Sequence, residues 1–178
     1  MKRKGIVLLI CIYLVFLLSG CMLVLPHRAK PVVSDDTVSV RLFAKDYIGK
    51  DRAQIESLLG GFVKEEYYNG GLLYNFARSD MWFWFGTDAE SYEQVPADAT
   101  CCFVMAPLSD AAAFSDTSVS GKELSLKLGF DFRKPIFNEM DSLFQYSAEK
   151  DGISCVVSCG EDGVASTSED FVIYSLVK

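Results

Sequence analysis

From residue 41 onward the chain alternates two patterns. In one, apolar residues stand three and four apart; in the other, they stand at every second position. Asp51-Arg-Ala-Gln54 precedes Ile55, Leu58 and Leu59, and Gly60 follows. An acidic cap, a glutamine three residues on, an apolar stripe and a glycine stop predict a short amphipathic helix. The same grammar returns 69 positions later, with Ser120-Gly-Lys-Glu123, then Leu124 and Leu128, then Gly129. Period-two runs follow each helix and predict strands. Leu72–Arg78 corresponds to Leu143–Ser147, Met81–Phe85 to Ile153–Val157, and Thr100–Met105 to Asp170–Ser175. Asp80, Asp151-Gly152 and Glu161-Asp-Gly163 mark turns.

The order of these elements predicts an α+β fold of two tandem two-layer units. Each unit is a short helix, or helix pair, packed on a three- to four-stranded antiparallel sheet. The first unit is expected over 41–109 and the second over 120–178. Between them Asp110-Ala-Ala-Ala-Phe-Ser-Asp-Thr-Ser-Val119 is small, polar and weakly periodic, which predicts a linker.

Met81-Trp-Phe-Trp-Phe85 is the most informative strand, because side chains alternate across a sheet. Trp82 and Trp84 share one face, and Phe83 and Phe85 share the other. A sheet with helices on one side only leaves its second face open. In the corresponding strand Ser154 and Ser158 mark the open side, while Cys155 and Val157 mark the core. Aligning Met81 with Ile153 puts Phe83 and Phe85 under the helices and makes Trp82 and Trp84 a candidate binding face, whereas aligning Asp80 with Asp151 puts the tryptophans in the core.

The N-terminus reads differently. Lys2, Arg3 and Lys4 precede an uninterrupted apolar run of thirteen, Ile6 to Leu18, which ends in Leu18-Ser-Gly-Cys21. Thirteen residues are short of the roughly 20 that a spanning helix needs, and the layout is that of a signal peptide over 1–20. Residues 21–40 carry Pro26 and Pro31 without clear periodicity and are expected to form a tether. The 17 Lys and Arg include the three of the leader, so residues 21–178 hold 14 basic against 24 acidic residues. Such an acidic chain has no electrostatic footprint for nucleic acid.

Composition also bounds the chemistry. The single histidine, His27, lies in the tether, which speaks against histidine-based catalysis and histidine metal sites. Neither Gly60-Gly61 nor Gly70-Gly71 has phosphate-loop spacing. No cofactor or metal site is expected. Cys155 and Cys159 lie ~13 Å apart in an extended strand and cannot bridge there. A disulfide must then join Cys101 or Cys102 to Cys155 or Cys159; the alternative is four free, buried thiols. A zinc site lacks the usual knuckle spacing.

Two resemblances add to this. Leu18-Ser-Gly-Cys21 resembles the bacterial lipobox, which implies that Cys21 is lipidated and becomes the mature N-terminus. Gly49-Lys50, Leu58-Leu59-Gly60, Tyr74-x-Phe76 and the aromatic last strand resemble the small-lipoprotein SmpA/BamE-like pattern. That pattern also occurs in tandem in proteins similar to β-lactamase inhibitory protein. The second unit follows it more loosely through Gly121-Lys122, Leu128-Gly129 and Asp162-Gly163. Gly61 and Phe130 stand where the pattern commonly has proline. The resemblance implies a non-enzymatic, lipid-anchored extracytoplasmic protein that binds or scaffolds an envelope protein or peptide. The alternative is an envelope hydrolase acting on a wall glycan through two carboxylates.

Overall fold

The computed structural model describes residues 41–177, so the leader, the lipobox with Cys21 and the 21–40 tether lie outside the described residues. Both helices start where the side chains supply the missing acceptors. At α1 (Arg52–Leu59) the Asp51 carboxylate accepts from the Gln54 N–H at 2.7 Å, and the Gln54 side chain accepts from the Asp51 N–H at 3.1 Å. At α2 (Gly121–Leu128) Ser120 Oγ accepts from the Glu123 N–H at 3.3 Å, and no return bond forms from the Glu123 side chain. Gly60 and Gly129 end them at φ 83° and 76°, a region where a Cβ is strained. Asp51→Ala should remove about 0.5–2 kcal/mol of stability through the lost cap, read as a lowered urea midpoint at unchanged slope.

Ten strands accompany them: β1 (Phe62–Tyr68), β2 (Gly71–Phe76), β3 (Trp82–Trp84), β4 (Phe103–Pro107), β5 (Ser118–Ser120), β6 (Ile136–Asn138), β7 (Leu143–Lys150), β8 (Ile153–Cys159), β9 (Val164–Ser166) and β10 (Phe171–Leu176). The β1–β2 hairpin turns on Asn69-Gly70 at φ 45° and 92°. Positive φ at both central residues is what a tight hairpin matched to the strand twist requires.

Among the described residues the fold is α+β, with two α-helices, three short 3-10 turns and one large antiparallel sheet. That sheet runs β1-β2-β3-β4-β10-β8-β7-β6, and β5 with β9 makes a separate small ribbon. A single eight-stranded sheet stands where two sheets of three or four strands were expected. The cause is the pairing of β4 with β10, in register from Phe171↔Pro107 to Ser175↔Phe103. Each strand would otherwise present an unpaired edge, and each satisfies the other's backbone groups. Within residues 110–119 Ala111, Ala112 and Val119 are buried, Ala113 and residues 115–118 are exposed, and Ser118–Ser120 pairs with β9.

One face of the large sheet is covered. Ile55 and Leu59 of α1, Leu124 and Leu128 of α2, and the loop residues Tyr47, Tyr92, Phe130 and Phe132 are buried in one core with inward strand residues such as Tyr74, Phe83, Val104, Cys155, Val157 and Tyr174. Tyr146 is locked here, its hydroxyl donating to the Gly163 carbonyl at 2.8 Å. A Cβ on Gly121 would lie 2.5 Å from that hydroxyl, so only glycine fits at the start of α2. Gly121→Ala should cost about 1–3 kcal/mol by overpacking, visible as a lower melting temperature.

Candidate functional site

Among the described residues the other face of the sheet carries no helix. β3 alternates, with Phe83 fully buried under the helices while Trp82 and Trp84 lie half-buried on the opposite face. Phe103 and Met105 of β4, Phe171 and Ile173 of β10 and Val156 of β8 are half-buried beside them. Register lines these residues up across the sheet. One row runs Trp82, Met105, Ile173, Val156 through four neighbouring strands. It is flanked by Asn75 on β2 and Ser147 on β7, so the apolar stripe is central and its ends are polar.

The sheet is also curled. Flat, eight strands at about 4.8 Å spacing would hold the outer two roughly 34 Å apart. Yet Asn69 and Gly70 at the β1–β2 tip and Asn138, Asp141 and Gln145 of β6–β7 line one hollow of about 370 Å³, floored by Trp84, Phe103, Val156 and Ile173. At the other end of the stripe Trp82, Met105 and Phe171 meet Asp80, Glu169 and Asp170 around a hollow of about 290 Å³. Asp170 is occupied structurally, since it accepts from Ser158 Oγ at 2.6 Å and from the Ser166 N–H at 2.7 Å.

The electrostatics of the domain are negative. Residues 41–177 contain 11 Lys and Arg against 22 Asp and Glu. Among the described residues only Arg41–Asp110 and Arg52–Glu56 pair within 4 Å, at 3.8 and 3.9 Å. Lys64 of β1 reaches over β2 and sets its ammonium 4.7 Å from the Trp82 ring centroid. Burial, with the Asp141 charge second, pushes the Tyr68 hydroxyl above its ordinary value.

Three of the described cysteines, Cys101, Cys155 and Cys159, belong to the core, and Cys102 is half-buried. All four of the described cysteines are free thiols, and the bridge that spacing permits between the two pairs is not formed. β10 lies between β4 and β8, which separates those strands by about 9.6 Å, beyond the roughly 7 Å that a disulfide spans. Burial pushes Cys101 and Cys155 from 9.0 to about 12 and Cys159 to about 11. Such thiols stay protonated at neutral pH, which makes them poor nucleophiles. Buried Tyr74 and Tyr174 are raised as well.

The sign of the pH effect follows. The folded state keeps protons that the unfolded chain releases, so this stabilisation is complete below about pH 9 and is lost as pH climbs toward 12. Circular dichroism should show cooperative unfolding in that window; a signal flat to pH 12 contradicts the assignment. With a thiol reagent at neutral pH, half-buried Cys102 should react well before fully buried Cys101 and Cys155.

Sequence reasoning found Trp82 and Trp84 and missed the rest of the floor. Phe103-x-Met105 and Phe171-x-Ile173 alternate visibly, but only the pairing of β4 with β10 puts them on one face. Tyr68 offered itself in the sequence only as a cover for the tryptophans, and Asp141 carried no signal, because the two come to one hollow only through the curl of the sheet. No group of three or more His, Cys, Asp or Glu is placed to hold a metal among the described residues, and no helix there is long and apolar enough to cross a membrane. Comparison of the chain with protein-family models, curated proteins and solved structures finds no match.

Proposed function

We propose that this chain is a non-catalytic binding or scaffold module of a bacterial cell envelope, anchored by a lipid on Cys21, that receives an envelope protein or peptide on its bare sheet face. The observation that carries the reading is the contiguous row of Trp82, Met105, Ile173 and Val156, half-buried on a face without a covering layer. Half-exposed aromatic and aliphatic side chains in one patch are what partner surfaces offer, whereas isolated ones are ordinary. A tandem origin fits the strand order, in which β1-β2-β3-β4 meets β10-β8-β7-β6 at the middle of the sheet. It also fits the resemblance to SmpA/BamE-like and β-lactamase-inhibitory-protein-like units over 41–109 and 120–178.

Site-specific photo-crosslinking in living cells tests the face. A crosslinker at Met105 should give one discrete adduct, and one at Leu126, 81% exposed on α2, should give none. Equal adducts from both positions, or none from Met105, would overturn the reading. The anchor has its own test. Cys21→Ser should abolish lipid attachment and cleavage before residue 21, read by mass spectrometry of the membrane-bound form, since two acyl chains are what make such an anchor stable. A variant that stays membrane-bound and is cut at the same bond contradicts it.

A further inference from the structure

We propose that the hollow between the two hairpin tips is a binding site for a quaternary ammonium group, a trimethylammonium head held against Tyr68, Trp84 and Phe103 and balanced by the Asp141 carboxylate. The proposal rests on the reading of this face as a binding surface and names a ligand chemistry for it.

Three rings converge there. Trp84 and Phe103 are register partners on adjacent strands of the bare face. The Tyr68 ring lies 6.3 Å from the Phe103 ring at 43°, so the two form an open corner. Gly71, opposite Tyr68 in the β1–β2 ladder, has no side chain to separate them. A Cβ at Gly71 would stand 3.4 Å from Trp84 Nε1, which shows how closely the indole leans across that strand. Ring faces carry negative potential and hold cations within about 6 Å of the centroid. The same strand already does so once, since Lys64 sits 4.7 Å from the Trp82 centroid.

The charge is supplied across the hollow. Asp141 Oδ2 accepts from Asn138 Nδ2 at 2.8 Å, and Oδ1 has no hydrogen-bond partner among the described residues. No Lys or Arg among the described residues pairs with this carboxylate. It lines the same hollow as Tyr68, Trp84 and Phe103. The excess of acidic residues draws cations toward the whole domain. The donor count then selects the kind of cation. A primary ammonium brings three N–H groups that need acceptors. The side-chain acceptors of the hollow are partly engaged, with Asp141 Oδ2 and the Gln145 carbonyl each accepting from Asn138 Nδ2, at 2.8 and 3.3 Å, and its floor is ring and aliphatic surface. A trimethylammonium group has no N–H to satisfy and needs only ring faces and a counter-charge. At about 370 Å³ the hollow also has room for the chain that carries the head.

The experiment uses the full chain in maltoside micelles. The sequence has two tryptophans, so Trp82→Phe leaves Trp84 as the only indole reporter. Tetramethylammonium, choline, glycerophosphocholine, n-butylammonium and the neutral isostere 3,3-dimethyl-1-butanol are titrated in parallel, with calorimetry as a second readout. Tetramethylammonium or choline should change Trp84 emission saturably, and the neutral isostere should bind at least about tenfold more weakly. Asp141→Asn should weaken the cation about five- to tenfold and leave the isostere unchanged. Choline and glycerophosphocholine distinguish a free solute from a lipid headgroup, and binding of either supports the site.

Equal affinity for the isostere overturns the proposal in favour of a plain apolar hollow. Tighter binding of n-butylammonium overturns it in favour of a partner's lysine side chain. No response to any cation in both readouts overturns it outright. Persistence of the Met105 crosslink would then show that the face binds while this site does not; loss of both removes the face as well.

Discussion

Phe83→Ala is expected to lower stability by about 3–5 kcal/mol, the largest effect of any single truncation considered for this protein. Phe83 is fully buried on the covered face of β3. Its ring meets Tyr47 edge-on at 5.6 Å and Phe76 at 5.5 Å. Removing it loses the transfer energy of a large aromatic side chain and leaves a void between β2, β3 and the Ala44–Tyr47 turn. That turn and the strands are locked by neighbours and cannot close the gap. For a domain of this size the loss corresponds to a melting temperature lower by roughly 10–20 °C. A drop under 3 °C would mean that the ring is not part of the core.

Trp84→Glu is expected to do the opposite. Its melting temperature should stay within a few degrees of the parent, because Trp84 is half-buried on the uncovered face and surface changes usually move stability by less than about 0.5 kcal/mol. Its partner crosslink at Met105 should fall by about 30-fold or more, the effect of removing a hot-spot aromatic worth at least about 2 kcal/mol and burying a charge in its place. The two residues are neighbours on one strand. A shared phenotype, with Trp84→Glu melting as low as Phe83→Ala, would falsify the division of β3 into a core side and a binding side.

Much of this was legible in the chain alone. Asp51 and Ser120 announce the helices because a capping side chain acts within three residues of itself, and Gly60 and Gly129 announce their ends because positive φ is a local demand. The alternation Trp82-Phe83-Trp84 is equally local, since a strand sends successive side chains to opposite faces whatever it pairs with. The acidic balance and the lipobox-like leader are likewise properties of the sequence as written.

Long-range pairing decided the rest. Whether β4 and β10 end two sheets or join them depends on backbone edges 64 or more residues apart in the ladder Phe171↔Pro107, and no local pattern encodes a partner's edge. That one ladder fuses the sheet, places β10 between the cysteine-bearing strands and so prevents their bridge. It also carries Phe171 and Ile173 onto the face that holds the tryptophans. The curl of the sheet then brings Tyr68 from one edge hairpin to Asp141 of the other, 73 positions away along the chain. A chemical environment assembled from both edges exists only when every intervening strand is in register, which is why the ring corner and its carboxylate belong to the tertiary structure and the strands beneath them to the sequence.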